Sequence, residues 1–455
     1  MVATLILILI AVAAAAALYL WLTGWQGGVT KSIGNPHVPS DLSFTIGGST
    51  TVYPLSQDAI QWFIQNNTNT NITNQQGGSA AGLAAVCAGD VDVGASSSAW
   101  SAAQLSANNC PSTTTQTVVG YDAVVAIESA SNPYILTVGK VGGSNGAISG
   151  LALNDSELAA IYAVNGGAAP SELATLGVVA ATQAGAVNVA TAIGNTITGC
   201  AAPPTAIVCW LQPTGDVNGA PAYTWWDVPT APAQASAALK DTGTWTFGAA
   251  NNGITAWGTG LIGGVGAQAA NHAIDAYARA DPSGTEQGFV QQLMGTTCGT
   301  DNQLGSCGIN PTVLTGNPAL LAGVAKDAYG IGFNSYGYAD VSTSGVVIDG
   351  FYSAALPGGS YHGGAAANTG VVTPTIPNIM EGVSSSAGGA TASATSYMGY
   401  RYLEYVTTQT PTAIGGVVLA YLQFVYGPQV NQALCSATGF LSLYTTGAPP
   451  PTPLA

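Results

Sequence analysis

Positive charge is what this sequence has least of. Of 455 residues only 6 are Lys or Arg against 21 Asp or Glu, a net charge of −15. Charged side chains make up 6% of the chain, where about a quarter is usual. Arginine occurs twice, at Arg279 and Arg401, and histidine at His37, His272 and His362 alone. So small a supply of cations excludes a nucleic-acid surface, which needs a basic patch, and argues against docking on anionic lipid head groups. The histidines are isolated and none of the 7 cysteines has C-x-x-C spacing. Neither a zinc site nor a Ser-His-Asp arrangement is expected, and there is no nucleotide loop. The reading is therefore of a non-enzyme with no cofactor and no metal; phosphatase activity lacks a placed nucleophile and ranks last.

Charge is absent altogether from the first 30 residues, and with it any reason for that stretch to face water. Val2 to Gly24 runs through Leu, Ile and Val, a block of alanines at Ala13 to Ala17, then Leu18-Tyr-Leu-Trp-Leu22. At 1.5 Å per residue a helix of this length reaches roughly 35 Å. A helix apolar all round is buried on every side, in lipid or among other helices. A secretory signal would begin with basic residues, and none precedes this run. The alanines let neighbouring backbones approach closely, which favours packing among copies of the chain; a single-pass anchor is the alternative. The texture resembles the N-terminal helix of archaeal type IV pilins, whose apolar helix forms a filament core after a basic leader is removed. With no leader here, either Met1 begins the mature chain or a precursor segment precedes it.

Four glycines from Gly24 to Ser40, with Pro36 and Pro39, then mark a linker over 25–40. Beyond it, strands alternate with helices: a strand at 42–46, helices at 52–65 and 80–86, a strand at 91–95. A further strand over 118–127 is interrupted at Gly120-Tyr-Asp122, a helix opens near Asn154, and residues 286–294 form a helix. Strands at 329–333 and 346–348 and one helix over 420–432 complete the pattern. The alternation predicts an α/β fold with largely parallel strands. From 166 to about 271 the periodicity weakens, which reads as an insertion, and residues 446–455 form a Pro-rich tail. The cysteines fall into local couples, Cys87 with Cys110, Cys200 with Cys209 and Cys298 with Cys307, predicted as disulfides in an exported chain rather than free buried thiols. Cys435 is left over. Sequons at Asn66, Asn71 and Asn154 would accept glycans outside the cell.

Three times the order is strand, small-residue turn, helix with hydroxyls at the turn: Ser49-Thr-Thr51, Gly78-Ser79 and Pro282-Ser-Gly-Thr285. Helix starts carry unpaired N–H groups and a partial positive charge, so they accept anions. Taken singly, each is equally a plain helix cap, and Ser283 with Glu286 has capping-box spacing. Arg279 shifts that balance. In a chain nearly devoid of cations it stands four residues before Ser283, with Asp281 placed to orient its fork on an oxyanion. Arg401 is expected to make a structural pair with an acid.

Six segments, Gly48-Ser-Thr-Thr-Val-Tyr-Pro-Leu55, Gly78-Ser-Ala-Ala-Gly82, Val91-Asp-Val-Gly-Ala-Ser96, Gly120-Tyr-Asp122, Arg279-Ala-Asp-Pro-Ser-Gly-Thr285 and Tyr421…Gln429, resemble the phosphate-binding proteins of ABC transporters. The resemblance spans about 42–445. It implies a two-lobed type II periplasmic-binding-protein fold closing on phosphate, behind the long hydrophobic N-terminal helix. Lobe 1 would comprise 41–125 with 336–445, and lobe 2 residues 126–335 including the insertion. Carried over by position, it implies phosphate ligands at Thr50, Thr51, Ser79, Ser97, Arg279, Ser283, Gly284 and Thr285. Many members have at the place of Ser97 an aspartate that accepts the proton of hydrogen phosphate; a hydroxyl here lacks the charge that repels sulfate. The expected protein is an extracellular, cell-surface filament subunit, membrane-inserted before assembly. Its partners would be copies of itself through residues 2–24, and phosphate or a similar oxyanion. The alternative is an anchored receptor serving an ABC permease.

Overall fold

The computed structural model describes residues 42–132, 152–153, 158, 161–162, 165–166, 196–197, 245–246, 273–294, 298–299, 301–341, 345–352, 371–387, 396–409 and 416–448. The N-terminal run over 2–24, the linker, most of 166–271, Cys200, Cys209, Asn154 and residues 449–455 lie outside them. Among the described residues no helix is long and apolar enough to cross a membrane.

Nine strands form one sheet. In chain order they are β1 (Leu42–Gly48), β2 (Thr70–Gln76), β3 (Val93–Ser96), β4 (Thr115–Ser129), β5 (Asp275–Arg279), β6 (Thr312–Leu314), β7 (Gly330–Ser335), β8 (Val346–Ile348) and β9 (Tyr400–Thr407). Their lateral order is β2-β1-β3-β9-β4-β7-β5-β6, with β8 also on β4. The expectation of largely parallel strands holds at the two ends only. β1 is parallel to β2 and β3, and β5 to β6 and β7. The middle is antiparallel, because β9 pairs with β3 and β4, and β7 and β8 pair with β4. β4, 15 residues long, is continuous through Gly120-Tyr-Asp122 and joins the two parallel ends. Its early half pairs with β9 and its later half with β7 and β8.

The apolar side chains collect into two main clusters. One gathers Phe44, Ile46, Trp62, Phe63, Tyr421 and Phe424 around β1 and β3; the other gathers Val125, Ile127, Phe289, Phe333, Leu320 and Val324 around β4, β5 and β7. Helix α1 (Tyr53–Asn66) buries Leu55, Ala59, Trp62 and Phe63 from one face, the period of an amphipathic helix. A side chain the size of Leu55 or Phe63 contributes on the order of 2 kcal/mol by leaving water. α2 (Ser79–Ala88) ends at Gly89 in the left-handed conformation, φ 83°, which glycine alone adopts without strain. α3 (Ala102–Ala107) follows, capped by Ser101 and Gln104 in a capping box. After β5 come the short α4 (Gly284–Gly288), continued by a π-turn over Phe289–Leu293, and α5 (Asn317–Lys326), α6 (Tyr336–Val341) and α7 (Ile376–Ala387).

The helix expected over 420–432 is two helices, α8 (Gly416–Tyr426) and α9 (Pro428–Thr438). Pro428 has no N–H to continue α8, and Gly427 before it is extended at ψ 134°. Cys87–Cys110 and Cys298–Cys307 are disulfide-bonded, and Cys435 is free and buried. Asn66 and Asn71 are exposed, at the end of α1 and on the edge strand β2.

Candidate functional site: two arginines among converging turns

All three strand–turn–helix units are present, as β1–α1, β2–α2 and β5–α4, and their turns meet. Glycines make that approach possible. Gly48 sits at φ +136°, and a Cβ there would lie 2.4 Å from the carbonyl oxygen of Ala95; at Gly78, φ +87°, one would lie 2.0 Å from that of Pro282. A Cβ on Gly284 would fall 2.5 Å from both Ser79 Oγ and Ser97 Oγ. The first turn is held by Ser49, whose Oγ accepts from the N–H groups of Thr51 and Val52 at 3.2 and 3.4 Å.

Thr50, Thr51, Ser79, Ser97, Ser283 and Thr285 are all buried, as are both arginines. Arg279, at the end of β5, sets Nε on Asp281 Oδ1 at 2.9 Å and Nη2 on Oδ2, and the N–H of Gly316 also donates to Oδ1, at 3.0 Å. Burial opposes ionisation of Asp281, yet the Arg279 hydrogen bonds and charge outweigh it and hold the carboxyl below its ordinary value. So oriented, Arg279 Nη2 donates to Thr50 Oγ1 at 2.7 Å, and Nη1 donates to Asn317 Oδ1. Asn317, the first residue of α5, donates in turn from Nδ2 to Thr51 Oγ1 at 3.0 Å.

The remaining hydroxyls close the circle. Thr51 Oγ1 and Thr285 Oγ1 stand 2.9 Å apart, Ser79 Oγ and Ser97 Oγ 3.2 Å, and Ser98 Oγ donates to the carbonyl of Gly284 at 3.2 Å. Ser283 caps α4, its Oγ accepting from the N–H of Thr285 at 3.1 Å and of Glu286 at 3.3 Å. The capping box expected there is incomplete, because Glu286 accepts instead from the N–H groups of Arg279 and Leu304, at 2.9 and 2.8 Å. Burial pushes the Glu286 carboxyl up to about 7, against the lowering effect of those two N–H groups.

Sequence reasoning read Arg401 as a structural partner of an acid only. It does pair with Asp122, but the same guanidinium also reaches the hydroxyl circle. Nη1 donates to Thr285 Oγ1 at 3.0 Å and Ser97 Oγ at 3.3 Å, and Nη2 to Thr51 Oγ1 at 3.4 Å. Asp122 stands in the Gly120-Tyr-Asp segment, and Arg401 is one of two arginines; those two signals together would have found it. Asn317, Ser98 and Tyr338, whose hydroxyl donates to the carbonyl of Thr50 at 3.1 Å, carry no such signal. Among the described residues no cluster of His, Cys, Asp and Glu could hold a metal ion.

No curated protein matches this sequence significantly. Among solved structures, a candidate phosphate ABC transporter substrate-binding protein from Clostridium perfringens, solved with bound phosphate, is similar at 15% identity and TM-score 0.47, covering 88% of this chain and 99% of that one. The phosphate-binding protein of Stenotrophomonas maltophilia gives 13% and 0.46, covering 89% and 91%. An ABC-type phosphate transport receptor from Vibrio cholerae gives 15% and 0.44, covering 88% and 99%. The PBP superfamily domain model matches residues 33–192, the segment that brings β1 to β4 and the first two turns.

Proposed function

We propose that this protein binds phosphate or a similar tetrahedral oxyanion at the Arg279 site, and that it is displayed outside the cell as a subunit of an archaeal pilus-like filament. The observation that carries the binding reading is Arg279 itself. A buried guanidinium, oriented by Asp281, donates to Thr50, and Thr51, Ser79, Ser97, Ser283 and Thr285, all buried and all able to donate, make up the rest of the circle. Gly284 completes the set by letting these turns approach. Such a cage favours an acceptor-rich anion and offers no placed nucleophile, so the role is binding, not catalysis. The two apolar clusters support two lobes hinged at β4 and β9, but not the bounds 41–125 with 336–445 and 126–335: Val346, Val347, Val372, Ile379, Met380 and Tyr397 pack with Phe289 and Phe333 in the second cluster. The filament reading is supported by the uncharged run over 2–24, hidden by copies of itself, and glycans would sit at the exposed Asn66 and Asn71.

Titration calorimetry of the full chain with inorganic phosphate tests the site. Binding should be saturable and should weaken by roughly a hundredfold or more in Arg279→Lys, which keeps the charge but loses the fork. Equal affinity in the variant would remove Arg279 from the site. Negative-stain microscopy of shed surface material tests the assembly. Fibres containing this chain support the filament reading, whereas detergent-extracted monomers alone would point to an anchored receptor handing phosphate to a permease.

A further inference from the structure

We infer that Arg401 is a second ligand-contacting cation and that, with Ser97, it makes the site take fully ionised tetrahedral dianions, sulfate as well as phosphate. This rests on the oxyanion reading above. It follows from a census of donors and acceptors around the hydroxyl circle.

Donors are in surplus. Thr50 Oγ1 accepts from Arg279, Thr51 Oγ1 from Asn317 and Arg401, and Ser97 Oγ and Thr285 Oγ1 from Arg401. Guanidinium and amide N–H groups cannot accept in return, so each of these hydroxyls keeps its own proton to give. The Thr51–Thr285 and Ser79–Ser97 contacts use one proton apiece. The other hydroxyl protons of this group have no acceptor among the hydrogen bonds of the described residues. Buried hydroxyls are ordinarily satisfied, and a ligand made of oxygen acceptors would satisfy these.

The carboxylates that could take a ligand's proton are all engaged by protein donors. Three carboxylates stand beside the circle, and each oxygen already accepts from the protein. Asp122 Oδ2 takes Arg401 Nε and Nη2 at 2.9 and 2.6 Å, and Oδ1 takes the N–H of Gly337 at 3.3 Å. Asp281 is held by Arg279 and Gly316, and Glu286 by two backbone N–H groups. At Ser97, within reach of Arg401 Nη1, the chain offers a hydroxyl and no charge. A P–OH group therefore meets no carboxylate free of protein donors here, and a dianion meets a hydroxyl rather than a carboxylate at Ser97. Discrimination between such ligands comes from better contacts to one or from a repulsive element against the other, and every carboxylate beside this circle is already engaged by protein donors.

The test is calorimetry of the full chain with sodium sulfate and sodium phosphate in parallel. Sulfate and phosphate affinities should lie within about tenfold of each other. Sulfate weaker than phosphate by a hundredfold or more would overturn the inference and leave the oxyanion reading standing. Binding of neither anion would overturn both. Ser97→Asp, checked for its fold by circular dichroism, should lower sulfate affinity at least about a hundredfold more than phosphate affinity. An unchanged ratio in a folded Ser97→Asp would also overturn it. Arg401→Lys should weaken both anions, and undiminished binding would remove Arg401 as a contact.

Discussion

Arg401 and Asp122 are direct partners across the antiparallel pair β9 and β4, and Arg401 places Nε and Nη2 on a single oxygen, Asp122 Oδ2, at 2.9 and 2.6 Å. Burial holds the Arg401 guanidinium below its ordinary pKa; Asp122 offsets this, and the charge of Arg279 adds to the lowering. Two guanidiniums are thus close enough to feel each other, each restrained by its own aspartate. Removing one aspartate should be costly, because it strands a buried charge. Asp122→Asn is expected to lose about 3–5 kcal/mol of unfolding free energy, measured by urea titration. The double variant Asp122→Asn with Arg401→Met should recover much of that loss while abolishing anion binding. A double variant as unstable as the single one would show that the pair is not what Asp122 supports.

Gly284 is the point where the β5–α4 turn meets Ser79 of the β2–α2 turn and Ser97 at the end of β3. An added methyl would press on Ser79 Oγ and Ser97 Oγ, the ends of side chains that can rotate away, rather than on backbone. Gly284→Ala should therefore cost only about 1–3 kcal/mol in stability, the usual penalty of overpacking. Phosphate affinity should fall much more, by tenfold or greater, because the rotated hydroxyls no longer converge. Calorimetry beside a urea melt separates the two effects. A variant with normal affinity would mean that the turns close on one another less tightly than this geometry requires.

Much of this site was legible in the sequence, because its parts are local. Each hydroxyl turn lies within a few residues of the strand and helix that hold it, and Arg279, Asp281 and Thr285 fall within seven consecutive residues. The contribution of Arg401 was not legible. Its partners Asp122, Ser97, Thr285 and Thr51 are between 116 and 350 residues away in the chain, and only the sheet order brings them together. The same distinction holds for the fold. Local periodicity found β1, α1, α2 and β8, whereas the antiparallel centre depends on β9 returning from the far end of the chain to lie between β3 and β4. The break between α8 and α9 was there to be read at Pro428.

The disulfide Cys87–Cys110 ties the end of α2 to the segment after α3 across 23 residues of chain, whereas Cys298–Cys307 spans 9. By loop-closure entropy the first should stabilise by about 3 kcal/mol and the second by slightly less. Cys87→Ser/Cys110→Ser should lower the urea midpoint more than Cys298→Ser/Cys307→Ser. Peptide mapping by mass spectrometry of the unreduced chain, which finds the two linked peptide pairs, checks both. A larger loss from the shorter loop would show that local packing, not chain entropy, sets their worth.

Glu404 gives the stability of the protein a pH dependence of unusual sign. It is buried on β9, opposite Ser96 and Val118, and its Oε2 has no hydrogen-bond partner among the described residues. Burial pushes its carboxyl from 4.5 up to about 7, so the folded chain holds a proton that the unfolded chain releases. Where the folded state binds more protons, stability falls as pH rises. The contribution is complete below 4.5 and lost as pH rises to about 7. Glu286, also raised to about 7 by burial, acts in the same direction. Glu404→Gln should remove one of these two contributions, so that unfolding free energy falls by about 3 kcal/mol less than in the wild type across that window. Parallel slopes in urea melts of the two proteins would show that Glu404 is ionised in the folded state and has a partner near β9.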